Sequence, residues 1–177
     1  MKLQTKIIIF ISLLLYCIPA CGDNKNSNTK TNSLHSAKNN KKAYQKAPDF
    51  TLKNMSNESV TLSNLNSKII IINFWATWCP YCIMEMPDFV SLYNTYKNNG
   101  VAILGIALDD EESVQSFLKK NKINYPILMG TNDVRQAYGG IRGLPTTFVL
   151  NNKKEIVASF EGKVDKAVIE NEIKKLL

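Results

Sequence analysis

The stretch "KIIIINFWATWCPYCIMEMPDFVSLYNTYKNNG", residues 68–100, decides the fold. It opens with a continuous β-branched and aromatic run, Lys68 to Ala76, long enough for a strand buried on both faces. Pro80 then suits the first turn of a helix, where its missing N–H costs nothing. The helix runs to about Lys97 and stops at the Asn-Asn-Gly of 98–100. Pro87 lies inside it and is expected to kink it. Two cysteines, Cys79 and Cys82, sit where strand turns into helix.

That position has chemical consequences. Backbone N–H groups and the positive end of the helix dipole converge on Cys79 and favour its thiolate. Such placement lowers a thiol pKa from about 8.5 into roughly the 3.5–7.5 range. Cys82 lies one turn further along the same helix, within bridging distance. The loop they close is tiny, so a disulfide there restrains little of the unfolded chain. The pair therefore reads as a centre for thiol–disulfide exchange. A bystander structural disulfide and a metal clip are the alternatives. A zinc site needs further ligands, but the only histidine, His35, lies outside the folded part, and no third free cysteine is expected there.

Outward from this core, "FTL" (50–52) and "VTL" (60–62) flank a polar segment and read as a hairpin. "VAILGIAL" (101–108) is a second buried strand. "DDEESVQSFLKKN" begins with acids and ends with lysines, which suits a helix dipole. "YPILMG" (125–130) is a short strand and "NDVRQAYGG" a short helix or turn. "TTFVLN" (146–151) and "EIVASFEG" (155–162) form a hairpin. The chain closes on an amphipathic helix with Val164, Val168, Ile169, Ile173, Leu176 and Leu177 near one face. The order β-α-β-α-β, then hairpin, then helix, predicts an α/β layered domain with a mixed sheet.

The amino terminus has a different character. Lys2 and Lys6 precede an apolar run from Ile7 to Ala20. That run is shorter than the roughly 18 to 20 residues a membrane span needs, so it reads as the core of an export signal. It ends "CIPAC", which resembles a bacterial lipobox with Cys21 as the lipidated residue, although Pro19 is unusual there. A plain anchor or an ordinary secretory signal is the alternative. The expected organisation is a lipoprotein signal peptide over 1–20, a lipidated Cys21 with a disordered Asn/Lys-rich tether over 21–46, and a folded domain over 47–177. The net charge of +7 belongs to the signal and the tether. Residues 48–177 carry equal numbers of acidic and basic side chains, so the charge count suggests no nucleic-acid-binding face.

"NFWATWCPYC", followed by Pro87, resembles the thioredoxin superfamily. "APDFTL" (47–52) and "VTLSNL" (60–65) are similar to its membrane-tethered TlpA/ResA-like branch. "GGIRGLPTTFVL" (139–150) resembles the segment that carries the superfamily's cis-proline. The resemblance implies a thioredoxin-like fold, a central mixed β-sheet flanked by helices with an N-terminal β-hairpin extension. It makes Cys79 the nucleophile and Cys82 the resolving cysteine. It puts a cis bond between Leu144 and Pro145, beside the site. Trp78, Pro80, Tyr81, Leu144 and Pro145 become candidate client-binding residues. Trp75 is either partly exposed beside the pair or core. Where many thioredoxins carry a buried acid on the strand, this chain has Asn73, which does not titrate. Glu85 completes a C-x-x-C-x-x-E pattern, which implies proton transfer at the pair; a solvated helix glutamate is the alternative. Arg142 reads as a solvated loop charge.

The implied activity is a thiol-disulfide oxidoreductase that reduces exported proteins, with apocytochrome c a possible client. It needs no cofactor, because the cysteines are the redox centre, and no metal. A membrane electron donor of the CcdA/DsbD type is the implied partner. Three rivals stand beside it. A disulfide-forming oxidant uses the same residues. A peroxiredoxin-like peroxidase shares the "APDFTL" opening, but that family's Thr or Ser at −3 and Pro at −7 are replaced by Ala76 and Ile72 for Cys79, and by Cys79 and Trp75 for Cys82. A redox-inert binding lipoprotein is the third.

Overall fold

Every residue of the strand β3 (Ile69–Trp75) is buried, and its alternation divides the apolar interior in two. Ile69, Ile71 and Trp75 point to one side of the sheet and pack with Met86, Phe89, Ile169 and Ile173. Ile70, Ile72 and Phe74 point to the other and pack with Leu52, Leu62, Leu104 and Tyr138. A strand covered on both faces has no solvent side to mark, which is why this stretch reads as an apolar run broken only by Asn73. The computed structural model describes residues 43–177. The expected signal, Cys21 and the tether through residue 42 lie outside the described residues.

The elements follow the expected order. A two-stranded antiparallel sheet of β1 (Thr51–Lys53) and β2 (Ser59–Thr61) forms the hairpin. Both strands sit one residue off the sequence reading. Phe50 precedes β1, and Leu62 opens a short 3-10 turn instead of ending β2. The main sheet adds β4 (Val101–Ala107), β5 (Ile127–Met129), β6 (Thr146–Leu150) and β7 (Ile156–Glu161), in the order β5-β4-β3-β6-β7. β3, β4 and β5 run parallel, while β6 and β7 are antiparallel additions. The sheet is therefore mixed, as expected. Its helices are α1 (Pro80–Tyr96), α2 (Glu111–Lys120), α3 (Asn132–Ala137) and α4 (Lys166–Leu176).

Two features place the site. Gly105 on β4 pairs with Asn73, and the Trp75 indole lies across it. A Cβ at Gly105 would come within 2.6 Å of Ile127 Cδ1 and 3.1 Å of Trp75 Nε1, so glycine here leaves room that a side chain would crowd. Meanwhile α1 continues through Pro87 without a break and buries Cys82, Glu85, Met86, Phe89 and Leu92.

The terminal helix departs from expectation. α4 buries Ile169 and Ile173, but Val168 is 40% and Leu177 50% exposed. Val168 is one residue from Ile169, about 100° around the helix, and so misses the stripe. Val164 is buried, but from the loop ahead of Asp165, which caps the helix.

Candidate active site

Cys79 is the N-cap of α1 and Pro80 its first helical residue. The Cys82 N–H donates to Cys79 Sγ at 3.2 Å, so a helix-terminal donor already points at the sulfur. The two cysteines form a disulfide across a Cα–Cα distance of 5.3 Å. Cys82 is fully buried and Cys79 nearly so. The turn ahead of them is tied down from the loop between β4 and α2. The Thr77 N–H donates to Asp109 Oδ2 at 3.1 Å, and the Thr77 hydroxyl makes a second, very short bond to the same oxygen.

Beneath the pair lies a buried polar group. Glu85 is 1% exposed, which removes the alternative of a solvated glutamate. Its Oε1 accepts from Asn73 Nδ2 at 2.8 Å, and its Oε2 from the Val164 N–H at 3.3 Å. Asn73 Nδ2 also donates to Thr147 Oγ1 at 3.0 Å, its cross-strand partner on β6. Burial pushes the Glu85 carboxyl up to about 7, against the opposing pull of the Val164 and Asn73 hydrogen bonds and of Lys163. This carboxyl, raised toward neutrality by burial, lies one helical turn along α1 from Cys82. Asn73, read in the sequence only as a missing acid, is the group that holds this carboxyl. It pairs a donor with the acid without adding a competing charge.

Above the pair lies a groove of about 320 Å³ with Cys79 in its wall. Trp78, Pro80 and Tyr81 line one side and Leu144 the other. Trp78 is 68% and Tyr81 61% exposed, whereas Trp75 is completely buried. The Leu144–Pro145 peptide is cis, as the resemblance implied. Pro145 is buried, and its carbonyl accepts from the Gly162 N–H. The Leu144 backbone N–H and C=O make no hydrogen bond among the described residues, so they are open to an extended peptide. Arg135 and Arg142 also line the groove. Arg135 was not singled out in the sequence, and nothing local in α3 marks it. Among the described residues, no cluster of three or more His, Cys, Asp or Glu is arranged to hold a metal ion.

Comparison with known proteins agrees with this geometry. A family model described as "AhpC/TSA family" matches residues 43–159. The chain is 37% identical to the thiol-disulfide oxidoreductase ResA of Halalkalibacterium halodurans over 73% of its length and 74% of the relative's. It is 30% identical to the protein of the same name in Bacillus subtilis, over 96% of this chain and 92% of that one. Among solved structures, a thiol:disulfide interchange protein of the thioredoxin family from Chlorobium tepidum superposes with a TM-score of 0.69 at 31% identity. The match covers 76% of this chain and 97% of the other.

Proposed function

Because this chain belongs to the AhpC/TSA family and is a thiol-disulfide oxidoreductase of the ResA type, we propose that it acts as a reductase on exported proteins through Cys79 and Cys82. The observation that carries this reading is the Cys79–Cys82 disulfide at the N-terminus of α1, with Glu85 buried one turn beyond it.

The cycle starts from the dithiol. The Cys79 thiolate attacks one sulfur of a client disulfide. The client S–S bond breaks as the Cys79–client bond forms, and the departing client thiolate takes a proton from solvent. Cys82 gives its thiol proton to Glu85 and attacks Cys79 Sγ. The mixed disulfide breaks, and the second client thiolate leaves and is protonated. Two electrons have moved from the pair to the client, and the pair is left as the disulfide. Glu85 then returns its proton to solvent. Trp78, Pro80, Tyr81 and Leu144 hold the client segment against the pair, with Pro145 behind Leu144.

The direction of electron flow and the client class rest on the family resemblance. Apocytochrome c, with its paired cysteines, is the client class that the resemblance favours. A membrane dithiol carrier of the CcdA/DsbD type restores the pair. The signal-like segment over 1–20 and the lipobox-like Cys21 support export and a lipid anchor. The folded domain starts by Gln45 and Lys46, which pair with Ile156 and Glu155 rather than belonging to the tether, and then works at the end of that tether.

Acid quenching of living cells, followed by a mass-tagged maleimide, tests the direction. Cys79 and Cys82 mostly reduced at steady state support the reductase. A pair that stays mostly oxidised while the membrane carrier is present makes the protein a disulfide donor and removes cytochrome c maturation.

A further inference from the structure

The groove above Cys79 carries charge of one sign only. Arg135 and Arg142 line it, and no Asp, Glu or Lys does. Both arginines are exposed, and neither forms an ion pair among the described residues. Arg135 uses its Nε to hold the Ile141 carbonyl at 2.8 Å, which fixes the side chain at the wall. The nearby carboxylates are otherwise engaged or displaced. Asp109 accepts both donors of Thr77. Glu161 shares a neighbouring hollow with Arg142 without pairing to it. Residues 48–177 are neutral in sum, so two unpaired guanidinium groups at the mouth of the reactive groove are a local asymmetry.

We propose that Arg135 and Arg142 make this groove select client disulfides whose attacked cysteine has an aspartate or glutamate within about two residues. The Leu144 backbone and the Trp78 and Tyr81 rings accept any extended segment, because they contact main chain and apolar surface. The guanidinium forks add a requirement those groups do not impose, since they match a carboxylate in charge and shape. An extended strand advances about 3.3 Å per residue, so a carboxylate one or two residues from the cysteine falls within an arginine's reach. Basic flanks meet repulsion at the same place.

This inference rests on the reading that the pair exchanges with peptide disulfides, and the test separates the two. The reduced full-length protein in neutral detergent is mixed with two disulfide-linked peptides, identical except for glutamate or lysine on both sides of the cysteine. Each rate is divided by that of dithiothreitol, which attacks as a thiolate but carries no other charge, and this removes the intrinsic effect of the flanks on the sulfur. The expected result is an acidic-to-basic ratio of about ten at low salt, falling towards one in 0.5 M salt. Arg142→Glu lowers or inverts the ratio, and Arg142→Lys keeps most of it. A uniform loss of activity scales both rates and leaves the ratio unmoved, and an unchanged circular-dichroism spectrum of Arg142→Glu is required before its ratio counts. A normalised ratio near one in the unaltered protein, or one that Arg142→Glu does not change, overturns the charge selection while leaving the exchange reading intact. Failure to reduce either peptide overturns both.

Discussion

The two sides of the Cys79–Cys82 pair are built from opposite materials. The outer side is exposed aromatic surface, open backbone at Leu144 and two arginines. The inner side is a closed set of Glu85, Asn73, Thr147 and the Val164 N–H, buried between β3, β6, α1 and the loop before α4. In the proposed cycle the outer side receives the client disulfide, and the inner side takes the proton of the second sulfur. Recognition needs surface that tolerates many clients, whereas proton control needs a site from which water is excluded. Desolvation is what lifts Glu85 to about 7.

The largest effect that divides the two sides comes from Cys82→Ser. The outer groove and Cys79 are untouched, so attack on a client proceeds, but resolution stops. Turnover falls to background, and Cys79-linked mixed disulfides accumulate, visible on non-reducing gels. Rapid turnover without Cys82 breaks the division.

Glu85→Gln tests the inner side alone. Resolution slows about a hundredfold or more at neutral pH, the range for loss of a positioned proton acceptor. The inflection near pH 7 leaves the rate profile, while capture of the client by Cys79 stays fast. The same substitution has a signature in stability. The folded carboxyl keeps its proton up to about pH 7, and the unfolded one releases it near 4.5. Stability is therefore full below about pH 4.5, declines as pH rises to about 7, and is level above. The loss is about 3 kcal/mol. Urea unfolding of the oxidised protein from pH 4 to 8 measures it, and Glu85→Gln flattens the curve. A flat curve in the unaltered protein would show that burial does not set this carboxyl.

The smallest effect belongs to the outer side. Trp78→Ala removes exposed surface, so stability changes by only about 0.5 kcal/mol. Reduction of peptide disulfides slows severalfold through a weaker encounter, with resolution unaltered. Equal slowing towards a small disulfide such as dithiodiglycol would move Trp78 from client binding to the chemistry itself.

Much of this was legible in the chain. The run over 68–76, Pro80 and the cysteine spacing are local, and each maps onto one backbone preference. So the strand, the helix start and the bridging distance all followed. Glu85 was half legible. Cys82, Glu85, Met86, Phe89 and Leu92 share one helical phase, and that phase places the acid on the buried stripe. A charged residue in such a stripe still reads equally well as solvated until a partner for it is found. Its partners are 12 and 79 residues away in the chain. Whether Trp75 lies exposed beside the pair or in the core was likewise open, because its surroundings include Gly105 across the sheet.

What the sequence by itself determined was the cysteine pair at a helix N-terminus, the mixed α/β order and a neutral stretch over 48–177 behind a basic N-terminal segment. Spacing, composition and backbone propensity are properties of contiguous residues. What only the tertiary structure decided was the environment of each functional group. β-sheet register set Asn73 beside Thr147 and beneath Glu85. The loop before α4 supplied the second donor. α3 and the loop after it brought Arg135 and Arg142 to the mouth of the groove. A pKa or a binding preference is set by what packs around a side chain, and that packing joins segments the sequence keeps apart.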